Sequence, residues 1–257
     1  MLKLGYSQYG TYPSRFTDPC STNERITVAQ GGDIGYCVAR FLALNYPESC
    51  KAHHVNMIPA EQPTEDKFPD LAKQAASAEL TDFEKIGGGR TQTFMAEGTG
   101  YSMMHTTRPQ TLAYSMVDSP VGLLAWIYEK LHAWTDDYPW TDEEILTWVS
   151  IYAFSEGGPH ASQRFYVDSA HAQPPDFTKA ARYADVKLGL SRFPKEIIHT
   201  PFLWARTLGP VVLDKVHEKG GHFAAWERPE ELAADLREMF GRGGGAYEAV
   251  EGCSGYD

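Results

Sequence analysis

A glycine-flanked aspartate is the clearest sign of chemistry in this 257-residue sequence. Asp33 is the centre of the pentapeptide GGDIG, in which Gly32 precedes it directly and Gly35 follows two residues later. A nucleophile between small residues, at a strand-to-helix turn, is typical of a nucleophile elbow. A carboxylate there needs no general base and forms an ester with an alkyl carbon, so the motif indicates ring opening or halide displacement rather than acyl transfer. The alternative is a simple turn in which Asp33 caps the following helix.

A histidine late in the chain is the second candidate. His222 follows Gly220 and Gly221, after a strand-like segment and before the last predicted helix. Loops beyond the carboxyl ends of strands in a doubly wound sheet converge on one crevice, so His222 and Asp33 can meet although they are far apart in sequence. An imidazole at that place can activate water, whereas a lone histidine is more often structural or solvated.

A carboxylate should orient this imidazole and stabilise its cation. Glu196, in the segment FPKEII after the strand-like VKLGLS, is placed for that role. Asp214 is a weaker rival, because it lies within the strand that leads to His222 and would need a bent geometry. Glu218 has the character of a solvated loop charge.

The segments around these residues alternate between strand and helix patterns. Four of them predict strands: ITVAQ (26–30), AHHVNM (52–57), VKLGLS (186–191) and VVLDKVH (211–217). A helix follows GGDIG and should end near Tyr46, since Pro47 disfavours helical geometry in its predecessor. The polar stretch 60–90, which ends in three glycines, predicts a surface excursion with a short helix at about 68–80. A last helix should begin at Pro229 and end at Gly241.

The aromatic-rich segment from about 91 to 183 predicts a helical insert. Ser119 and Pro120 mark one helix start, and Thr141 with Glu144 forms a capping box ahead of another. The pattern as a whole predicts an α/β fold with a parallel sheet that a lid interrupts. We expect residues 1–90 and 184–241 to form the core, 91–183 the lid, and 242–257 a loose tail.

Composition argues against several classes of partner and site. Lys and Arg number 23 against 34 Asp and Glu, and the net charge of −11 opposes binding to nucleic acid. The longest apolar stretch, 121–128, is far shorter than the roughly 20 residues that cross a bilayer. Four scattered cysteines, at positions 20, 37, 50 and 253, form no CxxC pair and should be free thiols. No secretory signal begins the chain, so we expect a cytoplasmic location unless a targeting segment stands upstream.

Six strings of the sequence, taken together, resemble the microsomal-type epoxide hydrolases of the α/β-hydrolase superfamily, fungal and bacterial members especially. They are GGDIG, GTGYSMMHTTRPQT, DSPVGLLAWIYEKLHAWTD, SQRFYVD, FPKEIIHTPFLWA and GGHFAAWERPEELAADLREMF, and the resemblance runs from about residue 28 to 240. It implies an α/β-hydrolase fold with a helical lid. It also implies hydrolysis of an epoxide to a vicinal diol, with water as the second reactant and without a metal or an organic cofactor.

The resemblance assigns roles to the candidates. Asp33 would be the nucleophile, His222 the general base and Glu196 its carboxylate partner. Tyr101 in GTGYS and Tyr166 in QRFYV match the two lid tyrosines that, in this family, hold and protonate the epoxide oxygen.

The elbow carries a further expected role. The backbone N–H of Ile34, directly after the nucleophile, would supply half of an oxyanion hole.

Two features depart from that family. Only 32 residues precede Asp33 and no HGWP-type loop is present, so we expect the N-terminal strands to be missing and about four strands to remain. The polar, turn-rich stretch 10–27 stands just before a strand; we interpret it as a retained intron in a gene model that starts too late, with a surface loop as the alternative.

Three functions stay open at this point. The first is an epoxide hydrolase. The second is a haloalkane-dehalogenase-like hydrolase, which also uses an aspartate elbow but needs halide-binding donors in place of paired tyrosines. The third is a truncated, noncatalytic α/β-hydrolase-like protein that binds ligands or partners.

Overall fold

A four-stranded parallel sheet organises the computed structural model, which describes residues 27–250. Its strands are β1 (Thr27–Gly31), β2 (Cys50–Val55), β3 (Lys187–Arg192) and β4 (Val211–Val216). They pair in the order β1-β2-β3-β4. The four predicted strands are therefore confirmed, with every end within two residues of its predicted position. Nearly all of the stretch 10–27 that we interpret as an intron lies outside the described residues, as do the cysteines at 20 and 253.

The core part of the chain contains helices both before and after the lid range. They are α1 (Ile34–Asn45), α2 (Pro69–Ser77), α3 (Asp82–Thr93), α10 (Ala224–Glu227) and α11 (Pro229–Phe240). The predicted helices after GGDIG, at about 68–80 and from Pro229 are confirmed. A 3-10 turn, Phe202–Thr207, lies between β3 and β4.

The three glycines at 87–89 correct the prediction for 60–90. They lie inside α3 rather than in a loop, because a capping box between Thr81 and Glu84 begins a helix that continues through them. A Cβ at Gly87 would lie 2.5 Å from the ring of His199, so this glycine gives the helix a close approach to the segment after β3. The glycine-rich composition alone predicted a loop at 87–89, where packing in the folded chain favours a continuous helix.

The lid range is more helical than its two marked starts predicted. It contains α4 (Gly100–Thr107), α5 (Pro109–Asp118), α6 (Pro120–Ala133), α7 (Asp142–Phe154), α8 (Ala161–His171) and α9 (Asp176–Ala180), after a π-helical turn at Phe94–Gly98. Both predicted starts are confirmed: Ser119 Oγ accepts the Gly122 N–H at 3.0 Å, and Thr141 with Glu144 forms the capping box. The division into core and lid domains stays a prediction.

The end of the described chain packs more tightly than a loose tail. Ala246 is buried against Leu213 and Met239, and its N–H donates to the Met239 carbonyl. Within the tail expected to be loose from 242, Ala246 and Ala249 therefore pack at the joint between β4 and α11, while the tail as a unit stays a prediction. Cys37 and Cys50 are buried free thiols, as predicted. Within 27–250, no helix is long and apolar enough to span a membrane.

A buried arginine ties α1 to distant parts of the chain. Arg40 is fully buried, and its guanidinium donates to the carbonyls of Ala180 at 2.9 Å and Leu208 at 2.8 Å. It also donates to the Arg182 carbonyl and lies 2.8 Å from His53 Nε2. One side chain thus joins the helix after the elbow to the end of the lid range and to the segment before β4.

Replacing Arg40 by methionine should destabilise the 257-residue chain by about 3–5 kcal/mol, because three carbonyl groups, two of them in buried hydrogen bonds, lose their donor. Urea unfolding followed by tryptophan fluorescence measures the change. The exposed Arg237 on α11 is the matched control, and Arg237→Met should change the free energy of unfolding by no more than about 0.5 kcal/mol. Equal stabilities of the two variants would contradict the role given to Arg40.

Candidate active site

The turn from β1 into α1 holds Asp33 in an unusual backbone conformation. Its φ is +50° and its ψ is −123°, a region that non-glycine residues adopt only where the surrounding structure enforces it. The Asp33 side chain makes no capping hydrogen bond to α1, so the alternative of a simple cap is not supported. The carboxylate is 48% exposed and lies on the wall of a cavity.

Two positions of the elbow have no space for a side chain and therefore require glycine. A Cβ at Gly31 would lie 2.1 Å from the carbonyl oxygen of Gly35, and one at Gly32 would lie 2.6 Å from Asn56 Nδ2. A Cβ at Gly35 itself would meet nothing within 4 Å. Ile34 is the first residue of α1, so its N–H has no intrahelical acceptor and is available at the cavity beside Asp33.

His222 and Glu196 form a buried pair behind Asp33. His222 Nδ1 lies 2.6 Å from Glu196 Oε1, and His222 Nε2 lies 3.8 Å from Asp33 Oδ2. The side chains of His222 and Glu196 are only 3% and 4% exposed. Ile197 N–H donates to the same Glu196 oxygen at 2.7 Å and fixes the carboxylate. The structure therefore brings together the three residues that the sequence singled out.

The charges of this group favour a protonated imidazole. Burial opposes the cation, but the negative charges of Glu196 and Asp33 outweigh it and raise the pKa of His222 to about 10. An imidazolium between two carboxylates is the resting arrangement at neutral pH. Loss of the charge on Asp33 would remove one of these causes and lower the pKa of His222.

The rival carboxylates are engaged elsewhere. Asp214 accepts two hydrogen bonds from the guanidinium of Arg192, at 2.7 and 3.1 Å, on the neighbouring strand. Glu218 is exposed. The preference for Glu196 as the partner of His222 agrees with these contacts.

Tyr101 and Tyr166 lie in edge-to-face contact on the cavity wall because α4 packs against α8. Their ring centroids are 6.0 Å apart with an interplanar angle of 85°. Burial, reinforced by the charge of Asp33, raises the pKa of Tyr101 to about 12. Burial also raises the pKa of Tyr166, and the neighbouring Tyr101 and Asp33 raise it further. Both phenols therefore stay protonated and can donate hydrogen bonds to an oxygen in the cavity.

The cavity that joins these groups has a volume of about 360 Å³ and is mostly apolar. Asp33, Tyr101 and Tyr166 lie on its wall, together with aromatic and aliphatic side chains from the lid range, which include Leu123, Trp126, Ile127, Trp148 and Tyr152. A second cavity of about 240 Å³ shares Asp33 and both tyrosines. The polar groups thus lie where two chambers meet.

Sequence reasoning missed the residues that connect the histidine loop to the lid range. The Trp134 carbonyl accepts the His222 N–H at 2.9 Å, and the Trp134 ring lies 5.1 Å from the imidazole. Glu227 accepts hydrogen bonds from the Gly221 and Asp136 N–H groups. Trp134 and Glu227 both lie in segments that resemble epoxide hydrolases. Such a resemblance does not show which backbone groups form hydrogen bonds with each other.

Curated relatives of the chain carry the name "putative epoxide hydrolase". The one from Stigmatella aurantiaca (strain DW4/3-1) is 35% identical over 222 residues, which cover 83% of this chain and 46% of the relative. The one from Dothistroma septosporum (strain NZE10 / CBS 128990) is 35% identical over 215 residues, which cover 82% of this chain and 47% of the relative. No family model matches the chain.

Solved structures of epoxide hydrolases are also similar to this chain. The Aspergillus niger epoxide hydrolase superposes with a TM-score of 0.66 and 36% identity, over 83% of this chain and 51% of that one. The juvenile hormone epoxide hydrolase from the silkworm Bombyx mori superposes with a TM-score of 0.70 and 25% identity, over 83% and 54%. The chain spans about half the length of the relatives that it matches. Over that span it is homologous to epoxide hydrolases and has the α/β-hydrolase fold.

The elbow geometry predicts opposite outcomes for two glycine-to-alanine changes. Gly31→Ala should destabilise the chain by roughly 3 kcal/mol or more, because its Cβ would overlap a backbone carbonyl that has no room to move. Gly35→Ala has open space and gains helix propensity in α1, so it should be neutral or stabilising by up to about 1 kcal/mol. Thermal unfolding of both variants measures the difference, and a tolerated Gly31→Ala would contradict the tight turn.

Proposed function

We propose that the residues gathered around Asp33 hydrolyse an epoxide to a vicinal diol through a covalent ester on this aspartate. The observation that supports it most directly is the placement of a carboxylate, a buried His–Glu pair and two protonated phenols around one apolar cavity. The homology to epoxide hydrolases agrees with this chemistry. The cavity wall favours an apolar epoxide with an aryl or alkyl substituent.

The first step is attack by Asp33 on an epoxide carbon. One carboxylate oxygen forms the new C–O bond while the ring C–O bond breaks and negative charge develops on the epoxide oxygen. Tyr101 and Tyr166 donate hydrogen bonds to that oxygen, and these bonds strengthen as the charge grows. The product of this step is an alkyl ester of Asp33 with an adjacent hydroxyl group.

The new hydroxyl group needs a proton, and His222 can supply it. His222 begins as a cation because Asp33 and Glu196 are both negative. When Asp33 becomes a neutral ester, one of these charges disappears and the pKa of His222 falls. The net result of the first step is therefore a neutral imidazole and a protonated product oxygen.

The second step uses that neutral imidazole as a general base. Water attacks the ester carbonyl while His222 accepts a proton from it and Glu196 stabilises the cation that forms. The N–H of Ile34 stabilises the oxyanion of the tetrahedral intermediate. Collapse of the intermediate releases the diol and restores the aspartate anion beside an imidazolium, so the proton count closes over the cycle. The cycle calls for water and no cofactor.

Blocking the second step should trap the ester. His222→Gln incubated with styrene oxide should accumulate one adduct of the epoxide mass on the peptide that contains residue 33, because attack proceeds while water activation is lost. Intact-protein and peptide mass spectrometry measure the adduct.

Two further variants control the trapping experiment. Asp33→Asn in the His222→Gln background should give no adduct. Asp214→Asn in the same background should keep it, since Asp214 pairs with Arg192 away from His222. An adduct that survives Asp33→Asn, or none in the single variant, would contradict the covalent route.

The phenol pair gives a test against halide chemistry. Tyr101→Phe and Tyr166→Phe should each lower the rate of ester formation by about a hundredfold, because each removes one donor to the developing alkoxide. Rapid-mixing single-turnover experiments measure this rate. Tyr128→Phe, which changes a half-exposed tyrosine on α6, should leave it unchanged. Full activity of both lid variants would favour a dehalogenase-like enzyme.

A further inference from the structure

A lysine lines the apolar cavity beside Tyr101, one of the two proposed hydrogen-bond donors. Lys130, on α6, has a side chain that is only 14% exposed. Its Nζ lies 4.8 Å from the ring centroid of Tyr101, 5.5 Å from that of Trp126 and 5.6 Å from that of Trp134. A lysine on a helix normally extends its ammonium group into water, but here the charge is turned toward three aromatic rings.

The surroundings of Lys130 leave its charge effective inside the cavity. Glu129 lies 2.5 Å from Nζ, but this carboxylate is 64% exposed and therefore well hydrated. His105, on α4, is kept neutral, because burial and the charge of Lys130 lower its pKa to about 4. The other titratable groups that face Tyr101 are Asp33 and Tyr166.

The position over Tyr101 matters because of the charge that develops there. A phenol that donates to an alkoxide acquires partial phenolate character, and a cation on the face of its ring stabilises that charge. In an apolar cavity the interaction is screened much less than in water. The same contacts also restrict the rotamer of Tyr101, since its ring packs against both the ammonium group and Trp134.

We propose that Lys130 is a positioning residue that acts through Tyr101, orienting the phenol and strengthening it as the hydrogen-bond donor to the epoxide oxygen. The inference rests on the proposed function, because it assigns Tyr101 to that oxygen. Lys130 transfers no proton, and its effect is electrostatic.

The first experiment measures the phenol without any turnover. A fluorinated tyrosine, whose phenol is more acidic than that of tyrosine, replaces Tyr101 in the full 257-residue chain, and fluorine NMR follows its titration. Lys130→Met, which keeps the length of the apolar stem, should raise the pKa of this phenol by about one unit, whereas Lys130→Arg should largely preserve it. Lys85→Met is the matched control, since Lys85 is an exposed lysine on α3.

The second experiment measures ester formation on Asp33 with styrene oxide in single-turnover mode. Lys130→Met should slow the alkylation rate about tenfold with little change in substrate affinity, and Lys130→Arg should restore most of it. Loss of activity in both Lys130 variants, together with an unchanged phenol titration, would mean that Lys130 only packs and would overturn the inference. An effect confined to epoxides that carry a carboxylate would assign Lys130 to substrate charge and overturn it as well. Absence of any adduct in the unchanged chain would reject the proposed function, while the NMR titration would still decide the role of Lys130.

Discussion

At the end of β1 the backbone must turn into α1 within three residues, and the turn leaves Asp33 with a φ of +50°. This conformation is held by the contact between Gly31 and Gly35, where no space exists for a Cβ on the first glycine. The strain is offset by the packing of β1 and α1 into the core, to which buried Arg40 contributes. The turn is what leaves the Asp33 carboxylate on the cavity wall rather than on its own helix.

The lid range and the histidine loop depend on each other through backbone hydrogen bonds. The Trp134 carbonyl binds His222 N–H, and the Asp136 carboxylate binds Gly220 N–H. Glu227, which is buried, accepts hydrogen bonds from both segments. A movement of the end of α6 would therefore move the imidazole as well as the aromatic wall of the cavity. The proposed base and the aromatic wall of the cavity therefore share one support, although they come from distant parts of the sequence.

Local patterns predicted the elements that local interactions determine. The helix starts at Ser119 and Thr141 follow from capping side chains within three residues, and the strands follow from short β-branched segments. The close approach of α3 to His199 at Gly87 joins residues more than a hundred positions apart, and no local signal predicts it. The order of the triad residues could be predicted from the resemblance, whereas the position of Lys130 over Tyr101 is a contact between residues of α6 and α4 that no sequence pattern predicts. The spacing of residues along the sequence does not predict long-range packing of this kind.

The charges around the cavity balance in a way that the overall net charge of −11 conceals. Asp33 and Glu196 bring two negative charges, the imidazolium of His222 brings one positive charge, and the ammonium group of Lys130 brings another. In the proposed cycle the ester removes one negative charge and the imidazole gives up one proton, so the sum is the same before and after the first step. An apolar cavity tolerates such a sequence because no state in it carries an uncompensated charge. The ammonium group of Lys130 also pairs with Glu129, so its charge is compensated in every state of the cycle.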